Sequence, residues 1–134
     1  LSSWESLLHE TPSITTAKIN NSFFIDSPEC YDCLIIIISP IFTGANIENA
    51  AFSPSVCAER VALFTAIHEG RRDFQGIAVS GGDTDNQSIG FTPCGVCRQV
   101  LSEFVGKDFK VLVDFGERYE IHTLGELLPF AFGL

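Results

Sequence analysis

Hydrophobic and polar residues along the chain follow two periods, and each change of period marks an element. Residues 34–39 form a β-branched run closed by Pro40, and a second apolar stretch over 41–46 carries Phe42 before Gly44. Short runs bounded by proline and glycine predict two strands joined by a tight turn. Over 57–69 the period lengthens. Val61, Phe64 and Ile67 recur at helical spacing, Ala58, Ala62 and Ala66 are strong helix formers, and Gly70 stands where the helix stops. Residues 76–80 predict a short strand, after which Gly81-Gly82-Asp83 opens a polar loop that reaches Gly90. Thr92-Pro93 reads as an N-cap followed by a first-turn proline, and a helix over 94–104 puts Val96, Val100 and Phe104 on one face. Strands over 110–115 and 119–123 and a short helix over 124–128 complete the order. Two strands, helix, strand, helix and two strands imply an α/β layer with helical crossovers. Residues 11–28, rich in Ser, Thr and Asn, show no period and read as loop.

With 134 residues and neither a linker nor an internal repeat, the chain is expected to form one domain over 1–134. A domain of this size buries roughly two thirds of its unfolded surface. Hydrophobic residues make up 46% and Phe alone counts 12, more apolar load than one small core absorbs, which directs part of it to subunit interfaces. The formal net charge is −9, and the basic residues form no run beyond Arg71-Arg72. A polyphosphate backbone would be repelled, so nucleic acid is not expected as a partner and a small uncharged substrate is. The apolar run from Leu34 to Ile38 falls far short of the ~20 residues that cross a membrane, so no membrane partner is expected. No basic leader precedes an apolar segment at the start, which speaks against a secretory signal. The chain begins at Leu1 and holds no Met, so a trimmed N-terminus is expected. Five cysteines, an odd number, in a domain that needs no disulfide staples fit a reducing cytoplasm and metal-bound thiolates.

The chemistry sits in two short motifs, Cys57-Ala58-Glu59 and Pro93-Cys94-Gly95-Val96-Cys97. Structural zinc normally closes its coordination sphere with four protein ligands. Here three thiols stand with one carboxylate beside the first, which leaves a fourth position open to water. Both ligand groups fall at helix starts, whose positive ends favour thiolate over thiol. Three thiolates give the zinc centre a net negative charge, which makes water a poorer acid there. Arg60, in the first turn, is the first candidate to offset that charge, and Arg98 the second. Glu59, two residues after a ligand, is placed to face the open position and move a proton between water and substrate.

The combination of Cys57-Ala58-Glu59 with Pro93-Cys94-x-x-Cys97 resembles the zinc-dependent cytidine deaminases. The segment Gly44-Ala45-Asn46-Ile47-Glu48-Asn49-Ala50 sharpens the likeness to the branch acting on free nucleosides, and Cys97-Arg98-Gln99-Val100-Leu101 and Glu126-Leu127-Leu128-Pro129 extend it towards Leu134. What the resemblance implies is a three-layer α/β/α sandwich with a five-stranded mixed sheet. It also implies hydrolysis of cytidine or deoxycytidine to uridine or deoxyuridine with loss of ammonia, in pyrimidine salvage. Cys57, Cys94 and Cys97 would bind Zn2+, and Glu59 would shuttle protons. Asn46 and Glu48 would bind the sugar hydroxyls, the backbone N–H of Ala58 the pyrimidine carbonyl, and the backbone carbonyl of Thr92 the amino group. Phe132 matches an aromatic that reaches a neighbour's site in the tetrameric members, and Cys rather than His as first ligand also resembles that branch, so a homotetramer is implied. Residues 1–39 are atypical: Asp26-Ser27-Pro28-Glu29-Cys30-Tyr31-Asp32-Cys33-Leu34 stands where members usually carry Pro-Tyr-Ser-x-Phe-x-Val-Gly-Ala-Ala.

Each residue also has a plainer reading. Cys30 and Cys33 could complete a four-thiolate zinc with Cys94 and Cys97, but that leaves Cys57 idle, and they read better as small apolar residues. Glu59 alone would be an exposed helix-start carboxylate, Asn46 and Glu48 turn residues, and Phe132 a packing residue. His9, His68 and His122 have no ligand spacing. Gly81-Gly82 lacks the spacing of a phosphate cradle. Two competing functions remain beside the deaminase: a catalytically silent zinc-binding homologue, and a deaminase of another aminopyrimidine nucleoside.

Overall fold

In the computed structural model, residues 41–81, 90–115 and 117–133 are described in full and residues 33–37 as a backbone strand. Cys30 and the polar loop after Gly81 lie outside the described residues. The elements in chain order are β1 (Cys33–Ile37), β2 (Phe42–Gly44), α1 (Ala58–His68), β3 (Gly76–Gly81), α2 (Gly95–Ser102), β4 (Lys110–Asp114), β5 (Tyr119–Thr123) and α3 (Leu124–Leu127). They follow the order expected from the pattern, with ends shifted by a residue or two. The strands lie in one mixed sheet in the order β2-β1-β3-β4-β5. β3 and β4 pair in parallel, with Ile77 opposite Val111 and Val79 opposite Val113, and α2 makes the crossover between them. All other pairings are antiparallel.

One face of the sheet carries Ile77, Val79, Val111 and Val113, and against it pack Leu63 of α1 and Leu101 of α2. Each large side chain withdrawn so fully from water contributes about 1.5–3 kcal/mol. The buried stripe of α1 is Ala58, Glu59, Ala62, Leu63 and Ala66. This corrects the expected apolar face: Phe64 is 47% exposed, and Val61 and Ile67 are only half-buried. Small side chains let a helix backbone lie close to its neighbour, so Ala58, Ala62 and Ala66 face inward with Leu63 while Phe64 turns outward. In α2 the buried residues are Cys97 and Leu101. Of the three residues expected on one face, Val96 is 57% exposed, Val100 is half-buried against the core and Phe104 lies beyond the helix end.

Two glycines fix the position of α1. Gly70 takes φ +82°, its N–H donates to the Ile67 carbonyl, and the Arg71 N–H donates to Ala66, the two bonds of a Schellman stop. Gly44 ends β2 beneath the first turn of α1, where a Cβ would collide with the carbonyl of Ala58 and the amide of Ala62. This close approach delivers the chain directly into Asn46 beside the start of the helix. No described helix is long and apolar enough to cross a membrane.

Candidate metal and substrate site

α1 and α2 both begin on cysteine. Cys57 is the N-cap of α1 with extended backbone (φ −66°, ψ 150°), and Cys94 is the N-cap of α2 (φ −66°, ψ 166°). The expected cap at Thr92 is therefore corrected by two residues. The Thr92 hydroxyl accepts from Arg98 Nη2 at 2.9 Å instead of capping the helix. Cys97, one turn into α2, is fully buried.

The three sulfur atoms converge. Cys57 Sγ is 3.7 Å from Cys94 Sγ, Cys94 Sγ is 3.5 Å from Cys97 Sγ, and all three lie within 4.8 Å of one another. Tetrahedral zinc at about 2.3 Å from each sulfur places its thiolates about 3.8 Å apart, so the triangle fits that ion. All three cysteines are free of disulfides. Among the described residues this is the one His/Cys/Asp/Glu group placed to hold a metal.

The electrostatics of the thiols differ. Burial pushes the Cys57 thiol up, Arg60 pulls it back, and Cys94 adds to the rise. Burial also drives Cys97 strongly up, reinforced by the charges of Glu59 and Cys94. Cys94 is desolvated too, yet the backbone N–H and thiol of Cys97, with Cys57 and the Val96 N–H, outweigh this and hold it below its ordinary value. Three clustered thiols of this kind are stable as thiolates when a cation joins them.

Glu59 is 6% exposed, which removes the reading of a solvated helix-start carboxylate. Burial raises its pKa, and the backbone N–H groups, Cys97 and Arg60 offset only part of that rise. Burial thus makes the protonated form of this carboxyl easier to reach than it is in water, the direction a group that both takes and gives a proton requires. Arg60 donates from Nη2 to the Ser55 carbonyl at 3.2 Å and lies 3.8 Å from Cys57 Sγ. Desolvation works against its charge, but Cys57 and Cys97 more than compensate. Arg98, the second candidate for that task, is engaged elsewhere: Nε donates to the Pro93 carbonyl at 2.6 Å and Nη1 to the Leu127 carbonyl at 2.8 Å.

The Asn46 amide donates to one oxygen of Glu48, and Ser55 Oγ donates to the other at 3.0 Å. The Asn49 N–H in turn donates to Ser55 Oγ at 3.0 Å, and a bridge between Ile47 and Val56 closes the loop. Ser55 thus ties Glu48 to the carbonyl that Arg60 holds, a role the sequence reading missed. A lone serine in a polar loop carries no pattern that would reveal it. Ala58 is the first residue of α1, so its N–H falls outside the helical ladder. Thr92 is exposed and leads through buried Pro93 into Cys94. Phe132 is 75% exposed, and its carbonyl accepts from Gln99 Nε2 at 2.7 Å.

The family model described as the cytidine and deoxycytidylate deaminase zinc-binding region matches residues 31–113. The chain belongs to this family. Zinc is the cofactor of this deaminase domain, and the Cys57, Cys94 and Cys97 sulfurs form a donor set that suits it. The matched span includes Asn46, Glu48 and Glu59 and ends before Phe132. The deaminase domain is 49% identical over 94 residues to a cytidine deaminase of Halalkalibacterium halodurans, covering 69% of this chain and 67% of that protein. It is 43% identical over 93 residues to a cytidine deaminase of Sporosarcina psychrophila, covering 69% of this chain and 65% of that one. The chain thus spans about two thirds of the length of these relatives. A crystal structure of cytidine deaminase from Burkholderia pseudomallei superposes with a TM-score of 0.64 at 35% identity, covering 75% of this chain and 79% of that one.

Proposed function

We propose that this chain catalyses the zinc-dependent hydrolytic deamination of cytidine or deoxycytidine to uridine or deoxyuridine, with release of ammonia, in cytoplasmic pyrimidine salvage. The observation that carries the reading is a buried carboxyl, Glu59, beside three convergent sulfurs that leave a tetrahedral ion one position short. Bound zinc supplies the positive charge that makes water acidic at neutral pH. Glu59 takes one proton from the attacking water and delivers it to N3 as the water oxygen bonds to C4 of the base, then carries the second water proton to the amine as the C4–N bond breaks. The Ala58 N–H holds the pyrimidine carbonyl, and the Thr92 carbonyl accepts from the amino group. Asn46 and Glu48 bind the sugar hydroxyls, and the bond between them presets their orientation. Arg60, beside Cys57, offsets the charge of three thiolates.

The same reading extends to the whole assembly. Residues 1–134 form one domain, a three-layer α/β/α sandwich on a five-stranded mixed sheet, and four copies associate. Exposed aromatics support this: Phe52, Phe130 and Phe132 are 83%, 92% and 75% exposed. Phe132 then packs against the base in a neighbouring copy.

Purified protein with zinc at one equivalent should consume cytidine, followed as loss of cytosine absorbance. Chelation should stop turnover, and added Zn2+ should restore it. A fully zinc-loaded protein that leaves cytidine unchanged would overturn the reading in favour of a silent zinc-binding homologue. Turnover of a different aminopyrimidine nucleoside in its place would move the substrate and keep the chemistry.

A further inference from the structure

We propose that Arg98 is a positioning residue that holds the Thr92-Pro93 segment and the C-terminal segment in one fixed relation, and thereby sets recognition of the substrate's amino group. Its side chain spends three nitrogens on three different acceptors. Nε donates to the Pro93 carbonyl at 2.6 Å, Nη2 to Thr92 Oγ1 at 2.9 Å, and Nη1 to the Leu127 carbonyl at 2.8 Å. The adjacent Gln99 reaches the same C-terminal segment five residues further on, through the Phe132 carbonyl at 2.7 Å. α2 therefore begins on the metal-facing thiol of Cys94 and, one turn later, grips the strap that leads into that thiol.

A guanidinium suits this task because its fork of donors is planar and rigid, so three acceptors fix each other's positions through it. Charge-assisted bonds of this kind are roughly twice as strong as neutral ones. Once the Thr92 hydroxyl and the Pro93 carbonyl are held, the peptide between them has little freedom. Its Thr92 carbonyl is the acceptor assigned above to the amino group, so the inference rests on that reading. Arg98 touches neither substrate nor sulfur in this arrangement and acts only through the strap.

The test compares two ligands and one physical readout. Arg98→Ala removes the clamp, and Arg98→Lys keeps the charge and stem but cannot span three acceptors, which covers the case in which the alanine variant fails to fold. The KM for cytidine should rise about ten-fold in either variant, the scale expected when an orienting group is misplaced by a fraction of an ångström. The affinity for pyrimidin-2-one riboside, which has hydrogen in place of the amino group, should change far less. Zinc content should stay at one equivalent. Amide exchange should quicken together in peptides covering 91–94 and 127–133, and added guanidinium should partly restore the KM of Arg98→Ala. Equal weakening of both ligands, or faster exchange in only one of the two segments, would overturn the proposal. A wild-type protein inactive on cytidine would instead overturn the assigned reaction, and the paired exchange measurement would still decide the clamp.

Discussion

The three described helices begin in two ways. α3 opens on a complete capping box: the Glu126 N–H donates to Thr123 Oγ1 at 3.2 Å, and the Glu126 carboxylate accepts from the Thr123 N–H at 2.7 Å. α1 and α2 open on cysteine, and neither has a side-chain hydrogen bond at its cap. Serine or aspartate at either position would serve the helix better by about 1 kcal/mol. Both uncapped starts belong to the sulfur cluster, and the capped start carries no ligand. The two cysteine starts also differ from each other. That of α1 is lined by buried Ala58 and Glu59 with Arg60 against Cys57, and that of α2 is exposed at Cys94 and Gly95. α1 brings a buried carboxyl and a guanidinium, and α2 brings two of the three sulfurs.

The largest expected effect tests that division. Glu59→Gln keeps the shape of the side chain and removes its ability to exchange a proton. The kcat on cytidine should fall by about three orders of magnitude. Zinc content by metal analysis should not change, because the sulfurs are untouched. A variant that keeps a tenth of the wild-type rate would place the proton transfer in another group and dissolve the contrast between α1 and α2.

The second prediction opposes metal binding to helix capping. Cys94→Ser gives α2 a better cap and removes an exposed ligand sulfur. In zinc-free protein the variant should be more stable than the parent by about 1 kcal/mol in denaturant titration. Zinc should reverse the order. Each ten-fold rise in free zinc above its dissociation constant should add about 1.4 kcal/mol to the parent, with a much weaker response in the variant. Equal stabilisation of both proteins by zinc would show that Cys94 is not a ligand.

The same contrast explains what could be read from the chain. The grouping of Cys57, Cys94 and Cys97 was legible because ligand spacing on a helix start is a local property, and the structure brings the three sulfurs together. Gly70 was legible for the same reason, since a positive φ after a helix is a local demand. The buried face of α1 was not, because hydrophobicity ranks Phe64 above Ala62 whereas close approach to the sheet and to Gly44 ranks them the other way. The start of α2 was misplaced because the Thr92 hydroxyl is taken by Arg98, six residues later. Arg98 was only the second candidate, after Arg60, to offset the charge of the thiolates. Its carbonyl partner at Leu127, on a different element, leaves no local trace. Ser55 escaped notice because a bond from a loop serine to Glu48 leaves no periodic signal.

The smallest expected effect concerns the capped start of α3. The backbone N–H and hydroxyl of Thr123 hold the Glu126 carboxyl below its ordinary value of 4.5. A carboxyl depressed in the folded state contributes stability that is present above its unfolded pKa and is lost as pH falls through the folded one. Glu126→Gln keeps an acceptor oxygen but cannot ionise. The Tm of the parent should therefore exceed that of the variant at pH 7, and the gap should begin to close near pH 4.5 and vanish at lower pH. Salt should shrink the gap at neutral pH, because Glu126 is exposed to solvent. Zinc content should be the same in both proteins across the series. A gap that stays constant from neutral to acid pH would assign the stabilisation to side-chain shape and leave charge no part in the box.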